Sequence, residues 1–160
     1  MVDLPLVEGE PYWGEDAEVL VLGTLLSGDP RKAPDAFALL TPEHFFREAH
    51  RQIFAAAKTI FERGQDPVDV ISVSLELRAR EEYELCGEFA YLQRLLESTP
   101  WAMNITYWAG VLRQEFLRRQ VAATGEEMVR DAGLGAPAEI LQEAQEKLLE
   151  LGQSQQADSF

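Results

Sequence analysis

The sequence predicts an all-α protein, with a globular helical subdomain over residues 15–99 followed by a long αα-hairpin over residues 100–151. Three observations carry that expectation. Apolar residues between Thr41 and Gly64 recur at helical spacing, bracketed by a start signal and a stop signal. Two further periodic runs, 104–131 and 136–151, are joined only by a short segment containing Gly133 and Gly135. The one stretch that alternates like a strand, Ile71–Arg78, has no convincing partner apart from Val19–Leu22, and a lone strand leaves its backbone groups unpaired.

In chain order, residues 1–14 hold Pro5, Gly9, Pro11 and Gly14 with little periodicity and read as an extended arm. From Glu15 the pattern is helical, with Ala17, Leu20, Val21 and Leu25 on one stripe and Val19, Leu22 and Leu26 on its flank. Gly23 lies inside that helix, where glycine costs roughly 1 kcal/mol against alanine, so close approach of a second helix is its expected use. Ser27-Gly28-Asp29-Pro30 is a turn, and Pro34–Leu40 forms a short second helix.

The central segment is expected to be one continuous helix from Thr41 to Gly64. Thr41 suits an N-cap, Pro42 the first helical position, and Glu43 the positive helix end. Phe46, Ala49, His50, Ile53, Ala57 and Ile60 make its stripe, which Phe45, Phe54 and Phe61 widen, and Gly64 closes it. A face that broad requires other helices around it. Asp66-Pro67 marks the next turn, and Asp69 is the candidate N-cap of a helix over Val70–Arg80, with Val70, Val73 and Leu77 aligned. Gly87 opens a helix that turns Phe89, Leu92, Leu95 and Leu96 inward. After Thr99-Pro100, Asn104 caps the longest run, to about Asp131, with Ile105, Trp108, Leu112, Phe116 and Ala123 on one stripe. The second hairpin helix, Ala136–Leu151, carries Ile140, Leu141, Ala144, Leu148 and Leu151. The polar tail 152–160 reads as the start of a linker.

Composition narrows the function classes. At 160 residues with 46% hydrophobic content, the chain holds one domain with a real core. The single cysteine, Cys86, excludes an intramolecular disulfide and a cysteine-rich zinc site. No apolar run of about 18 residues appears, so a cytosolic protein is the plain expectation. The net charge of −14 repels phosphate backbones, and strong direct DNA binding is not expected. Arg113, Arg118 and Arg119, the nearest approach to a basic patch, read as a solvated face or as ion-pair donors.

No catalytic, cofactor or metal constellation is present in the sequence. It has no G-x-x-x-x-G-K-[ST] to cradle a triphosphate, no nucleophile elbow and no H-E-x-x-H. His44 and His50 fall on different faces, and His50 lies on the apolar stripe, as a satisfied core histidine would. Cys86 has no neighbouring base and reads as a packing residue, while Glu81-Glu82 and Glu126-Glu127 read as solvated faces. Trp13 and Trp101 lie off the strong stripes and suit either a core plug or an interface anchor.

Several of these signals together resemble one family. Pro42, Glu43, Phe45, His50, Ile53, Phe54 and Gly64 match the pattern of the amino-terminal domain of bacterial replicative DNA helicases, the DnaB family. Ala17, Glu18, Leu22 and Gly23 resemble its opening helix, and Pro67, Asp69 and Leu77 its following one. Gly87, Tyr91 and Leu92 resemble its Gly-Gly-x-x-Tyr-Leu element, with Glu88 standing at the second glycine. Asn104, Tyr107, Ala109 and Arg119 match its helical hairpin, so the resemblance spans roughly Pro11–Leu151.

The resemblance implies a collar domain that assembles through its hairpins, typically as a trimer of dimers in a hexamer, and docks a DnaG-type primase. A helicase loader is a further partner that it allows. It also implies a RecA-like ATPase following the linker, which would use ATP and Mg²⁺ to unwind duplex DNA 5′ to 3′ in the bacterial replisome, in the cytoplasm. Trp101, Met103, Ile105, Trp108, Leu112 and Phe116 are then the candidate oligomer or partner interface, because a lone two-helix hairpin cannot cover them. A stand-alone helical single-stranded-DNA-binding or adaptor protein is the other reading, and DNA binding would require a basic groove interleaved with aromatics.

Overall fold

A computed structural model of the chain describes residues 13–101 and 103–157. The expected arm over residues 1–14 therefore lies, up to residue 12, outside the described residues, as do residues 158–160 of the tail. Among the described residues seven α-helices follow one another: α1 (Trp13–Leu26), α2 (Ala33–Leu39), α3 (Glu48–Arg63), α4 (Val70–Ala79), α5 (Glu88–Glu97), α6 (Ile105–Asp131) and α7 (Pro137–Ala157). A 3₁₀ turn, Pro42–His44, precedes α3. Among the described residues the only strand-like pairing is one isolated bridge between Ser27 and Asp69. The all-α expectation holds, and the alternating stretch Ile71–Arg78 is helical.

The chain divides into two compact units between Arg113 and Gln114, within α6. In the first unit, Val21, Leu22 and Leu25 of α1 meet Ile53, Phe54 and Ala57 of α3, Val73 and Leu77 of α4, and Leu92 and Leu95 of α5. Phe37 and Phe45 extend this core by stacking on Phe54, with ring centroids 5.3 and 4.8 Å away. The close approach expected at Gly23 is between α1 and α5: a Cβ there would overlap Thr99 Oγ1 and the Leu95 carbonyl.

A buried polar chain crosses this core. Glu18 and His50 are fully buried. Glu18 Oε2 pairs with His50 Nδ1, and His50 Nε2 lies 2.7 Å from the Tyr91 hydroxyl. A carboxylate only accepts, which places the imidazole proton on Nδ1. The other carboxylate oxygen accepts the Phe46 N–H. One side chain of α1 thus anchors α3, α5 and the segment between the 3₁₀ turn and α3.

That anchor explains a departure from the expected continuous helix 41–64. Thr41 and Pro42 do start a helical turn, but it closes after His44, whose Nδ1 accepts the Thr41 N–H at 2.9 Å. Phe45 and Arg47 are extended, and α3 begins at Glu48. The break seats Phe45 in the core and hands the Phe46 N–H to Glu18 instead of to the carbonyl four residues back. Phe46 consequently lies outside α3 and is exposed. Gly64 closes α3 in the left-handed region, φ 66°, as expected.

Asp69 caps α4 as expected: it accepts the Ser72 N–H at 2.8 Å while Ser72 Oγ accepts the Asp69 N–H at 3.0 Å. A second ionic cluster pins α4 to α3. Glu76, nearly buried, accepts from Arg80 Nε at 2.9 Å and Arg63 Nη1 at 2.8 Å, and Arg80 Nη2 donates to Thr59 Oγ1 at 2.5 Å. The hydrogen bond from Arg80, with that from Arg63, holds the Glu76 carboxyl below the usual carboxylate range. At the start of α5, Glu88, the residue at the family's second glycine position, takes the left-handed conformation with φ 58°. Phe89, expected inward, is exposed as the chain leaves that strained position.

Asn104 Oδ1 accepts the Tyr107 N–H at 3.1 Å and starts α6 as expected. The second unit contains the rest of α6 and α7, joined at 132–135 by bonds from the Leu134 and Gly135 N–H groups to the Asp131 carbonyl, 2.9 and 3.0 Å. Thr124 and Ala144 are buried in this unit, and Lys147 pairs with Glu127. The second helix runs through Gly152 to Ala157 instead of stopping at Leu151, since one glycine costs only about 1 kcal/mol and no proline interrupts the Gln-rich end.

Three substitutions test this packing. His50→Ala should strand the Glu18 carboxylate and cost about 3–5 kcal/mol, whereas Tyr91→Phe should cost about 1 kcal/mol. Urea unfolding checks both, and equal losses would contradict the ranking. Glu88→Gly should stabilise by about 1 kcal/mol by relieving the left-handed backbone, visible as a higher urea midpoint at unchanged slope.

Candidate interaction surface

The six residues expected at an interface have different fates. Ile105 and Leu112 are buried in the core of the first unit beside Ala109, and Trp108 packs against that core while keeping part of its surface. Ile105 and Leu112 are thus corrected from surface to core. The first turns of α6 complete the globular unit, so its boundary lies after Arg113 and not at residue 99. Trp101 is 88% exposed at the turn before α6, where its carbonyl accepts the Lys32 ammonium at 2.9 Å. Met103 is half-buried. In the second unit Phe116 is half-buried, with the Arg119 guanidinium 5.9 Å from its ring centroid.

The hairpin unit itself presents a different apolar surface. Val121 and Val129 of α6, Leu134 of the turn, and Leu141, Leu148 and Leu149 of α7 are all exposed. Ile140, Ala144 and Leu151 form the more buried edge of α7. The apolar arc of α7 is therefore wider than one neighbouring helix covers. That width was visible in the sequence as two adjacent stripes, 140/144/151 and 141/148; Val121, Val129, Leu134 and Leu149 were not read as part of it, although Val121 and Val129, like Leu141 and Leu149, stand eight residues apart, a helical spacing. Acidic Glu139, Glu143, Glu146 and Glu150 are also exposed along α7. In the first unit the exposed large apolar residues include Phe46, Ile71, Leu75, Leu85, Phe89 and Trp101.

The reactive side chains are committed to structure. His50 has a partner on each ring nitrogen. The Cys86 thiol is buried, donates to the Ala49 carbonyl at 3.6 Å, and is pushed up to about 11 by burial, so no thiolate forms near neutrality. Arg118 pairs with Glu115 at 3.8 Å, as an ion-pair donor. Among the described residues no group of three or more His, Cys, Asp or Glu is arranged to hold a metal ion, and no helix is long and apolar enough to cross a membrane.

This arrangement recurs in known proteins. The family model of the DnaB-like helicase N terminal domain matches residues 10–114. The chain is 34% identical to the replicative DNA helicase DnaB of Geobacillus stearothermophilus, an alignment covering 91% of this chain and 32% of that protein. It is 29% identical to the replicative DNA helicase DnaC of Bacillus subtilis (strain 168), covering 100% of this chain and 35% of that one. The chain thus spans about a third of the length of these curated relatives. In three dimensions it resembles the N-terminal domain of DnaB helicase from Mycobacterium tuberculosis, with a TM-score of 0.77, 30% identity, and coverage of 84% of this chain and 94% of that one. It also resembles a DnaB-like replicative helicase whose structure was solved with its interactions with primase, with a TM-score of 0.66, 25% identity, and coverage of 88% of this chain and 31% of the other. With the same helices and the sequence match extending over most of its length, the chain belongs to the family of DnaB-like helicase N-terminal domains.

Proposed function

We propose that this domain is an assembly and docking module: it joins copies of a replicative helicase into a hexamer collar and receives a DnaG-type primase. The observation that carries the reading is the exposed apolar arc of the hairpin unit, Val121, Val129, Leu141, Leu148 and Leu149, on a chain whose polar core is wholly structural. A second copy of the same hairpin covers such an arc symmetrically, each helix pair burying the other's stripe. Three such dimers make a hexamer. The primase part of the reading draws support from the similarity to a helicase whose interactions with primase were solved.

The parent protein in this reading carries the linker and a RecA-like ATPase beyond the tail, and unwinds duplex DNA 5′ to 3′ in the cytoplasm with ATP and Mg²⁺. The domain contributes geometry to that work and no chemistry. A loader that opens or closes the ring would meet the same assembly.

Sedimentation across a concentration series should show a monomer of 18.0 kDa giving way to dimers or larger species. Leu141→Asp combined with Leu148→Asp should hold the protein monomeric, because two carboxylates would be buried in a symmetric contact. A wild-type protein that stays monomeric at high concentration overturns the assembly reading. The isolated chain should neither hydrolyse ATP nor bind single-stranded DNA at salt of about 0.15 M, given its charge of −14. A micromolar dissociation constant for an oligonucleotide would contradict the charge argument.

A further inference from the structure

Gly125 has no reason within its own chain. It lies well inside α6, where glycine lowers helix stability, and a Cβ built on it would meet no atom within 4 Å. Its φ is not positive, so the backbone makes no demand for glycine either. Gly23, by contrast, is required by the contact of α1 with α5. Gly110 is as open as Gly125 but belongs to the first unit, and Gly152 lies in the last two turns of α7, where a fraying end makes glycine cheap. A glycine inside a helix that its own chain does not need points to a close approach by something outside that chain.

The residues around Gly125 divide the hairpin into two sides. Lys147 of α7 pairs with Glu127 of α6, and both line one shallow cleft with Asp131 and Glu143. On α6, Val121, Gly125 and Val129 succeed one another at four-residue steps, on the side turned away from Glu127. On α7, Glu139, Glu143, Glu146 and Glu150 recur at helical spacing on one side, and Leu141 and Leu148 stand on the opposite one. In a hairpin the two helices run antiparallel, so the flanks turned away from the Glu127–Lys147 pair fall on the same side. That side holds Gly125 among Val121, Val129, Leu141 and Leu148, all four exposed.

We propose that Gly125 is the point of closest approach in a face-to-face contact between this hairpin and the hairpin of a second copy. The inference rests on the assembly reading above and deepens it, by choosing the side of the hairpin that pairs and the residue that sets its distance. Charge favours a second copy on this side. Two chains of net charge −14 repel each other, and contact through the apolar sides keeps the four glutamates of one α7 turned away from those of the other. A two-fold axis gives both copies the same arrangement, so the glycine serves twice. The missing side chain lets a helix of the second copy come close enough to cover the valines and leucines beside it.

The test compares the whole chain as wild type, Gly125→Ala and Gly125→Leu by sedimentation across a concentration series, with thermal melting recorded at a dilution where each is monomeric. Gly125→Ala should act in opposite directions on the two readouts. The monomer should melt about 2–4 °C higher, because alanine is the better helix former and its Cβ has room, while the dimer dissociation constant rises about tenfold. Gly125→Leu should raise that constant about a hundredfold at unchanged helix content. Gln142→Ala, an exposed change on α7 away from the apolar side, should leave it within about twofold. If the wild type and both Gly125 variants dimerise alike, the placement is wrong and the assembly reading survives. If Gly125→Ala tightens the dimer as well as raising the melting point, no helix approaches this glycine and the proposal fails. If Gly125→Leu loses its melting transition, Gly125→Ala alone decides between these outcomes. If the wild type stays monomeric at high concentration, the assembly reading falls and this placement falls with it.

Discussion

The fold depends on finding partners for one buried carboxylate. An isolated charge at the position of Glu18 would cost several kcal/mol, roughly the net stability of a small domain. Its two oxygens are satisfied by groups from different parts of the chain, the His50 imidazole and the Phe46 N–H, and the imidazole is held in turn by Tyr91. Apolar packing alone lets helices slide by a residue with modest loss. Hydrogen bonds of fixed length do not, so this chain sets the register of α1 against α3 and of α3 against α5. The close contact at Gly23 brings α1 and α5 near enough for it to form.

The same constraint marks how far the sequence could be read. Helices α4 and α6 were legible with their caps, because Asp69 and Asn104 act locally on N–H groups three residues away. Gly64 was legible for the same reason. The break at residues 45–47 was not, since its cause lies 28 positions upstream in Glu18, and helical spacing within 41–64 carries no trace of that partner. His50 was recognisable as a core histidine from its place on the stripe, but its hydrogen-bond partners were not. The interface residues were legible as large and apolar and illegible as to side. Ile105 and Leu112 share a stripe with Phe116, and only the three-dimensional packing shows that the first two serve their own unit.

Three groups capable of acid–base, thiol or ionic chemistry are drawn into the scaffold: His50 by Glu18 and Tyr91, Glu76 by Arg63 and Arg80, Cys86 by burial. Exposed large apolar residues occur in both units, Ile71, Leu75 and Trp101 in the first and Val129, Leu148 and Leu149 in the second among them, over a strongly acidic background. Such a background discourages unspecific attachment to nucleic acid and opposes disordered aggregation, because unscreened like charges repel wherever apolar faces do not meet.

The division of α6 has a practical consequence for dissecting the molecule. The match to the family model ends at residue 114, and the first compact unit ends at Arg113. The family-model match and the first compact unit therefore end at nearly the same point, two turns into a helix and not at a loop, although the curated relatives align over 91% and 100% of the chain. A fragment cut at Thr99, where the chain visibly turns, would lose Ile105, Ala109 and Leu112 and open the seats they fill. The first compact unit carries a stub of helix that looks, on a topology diagram, as though it belonged to something else.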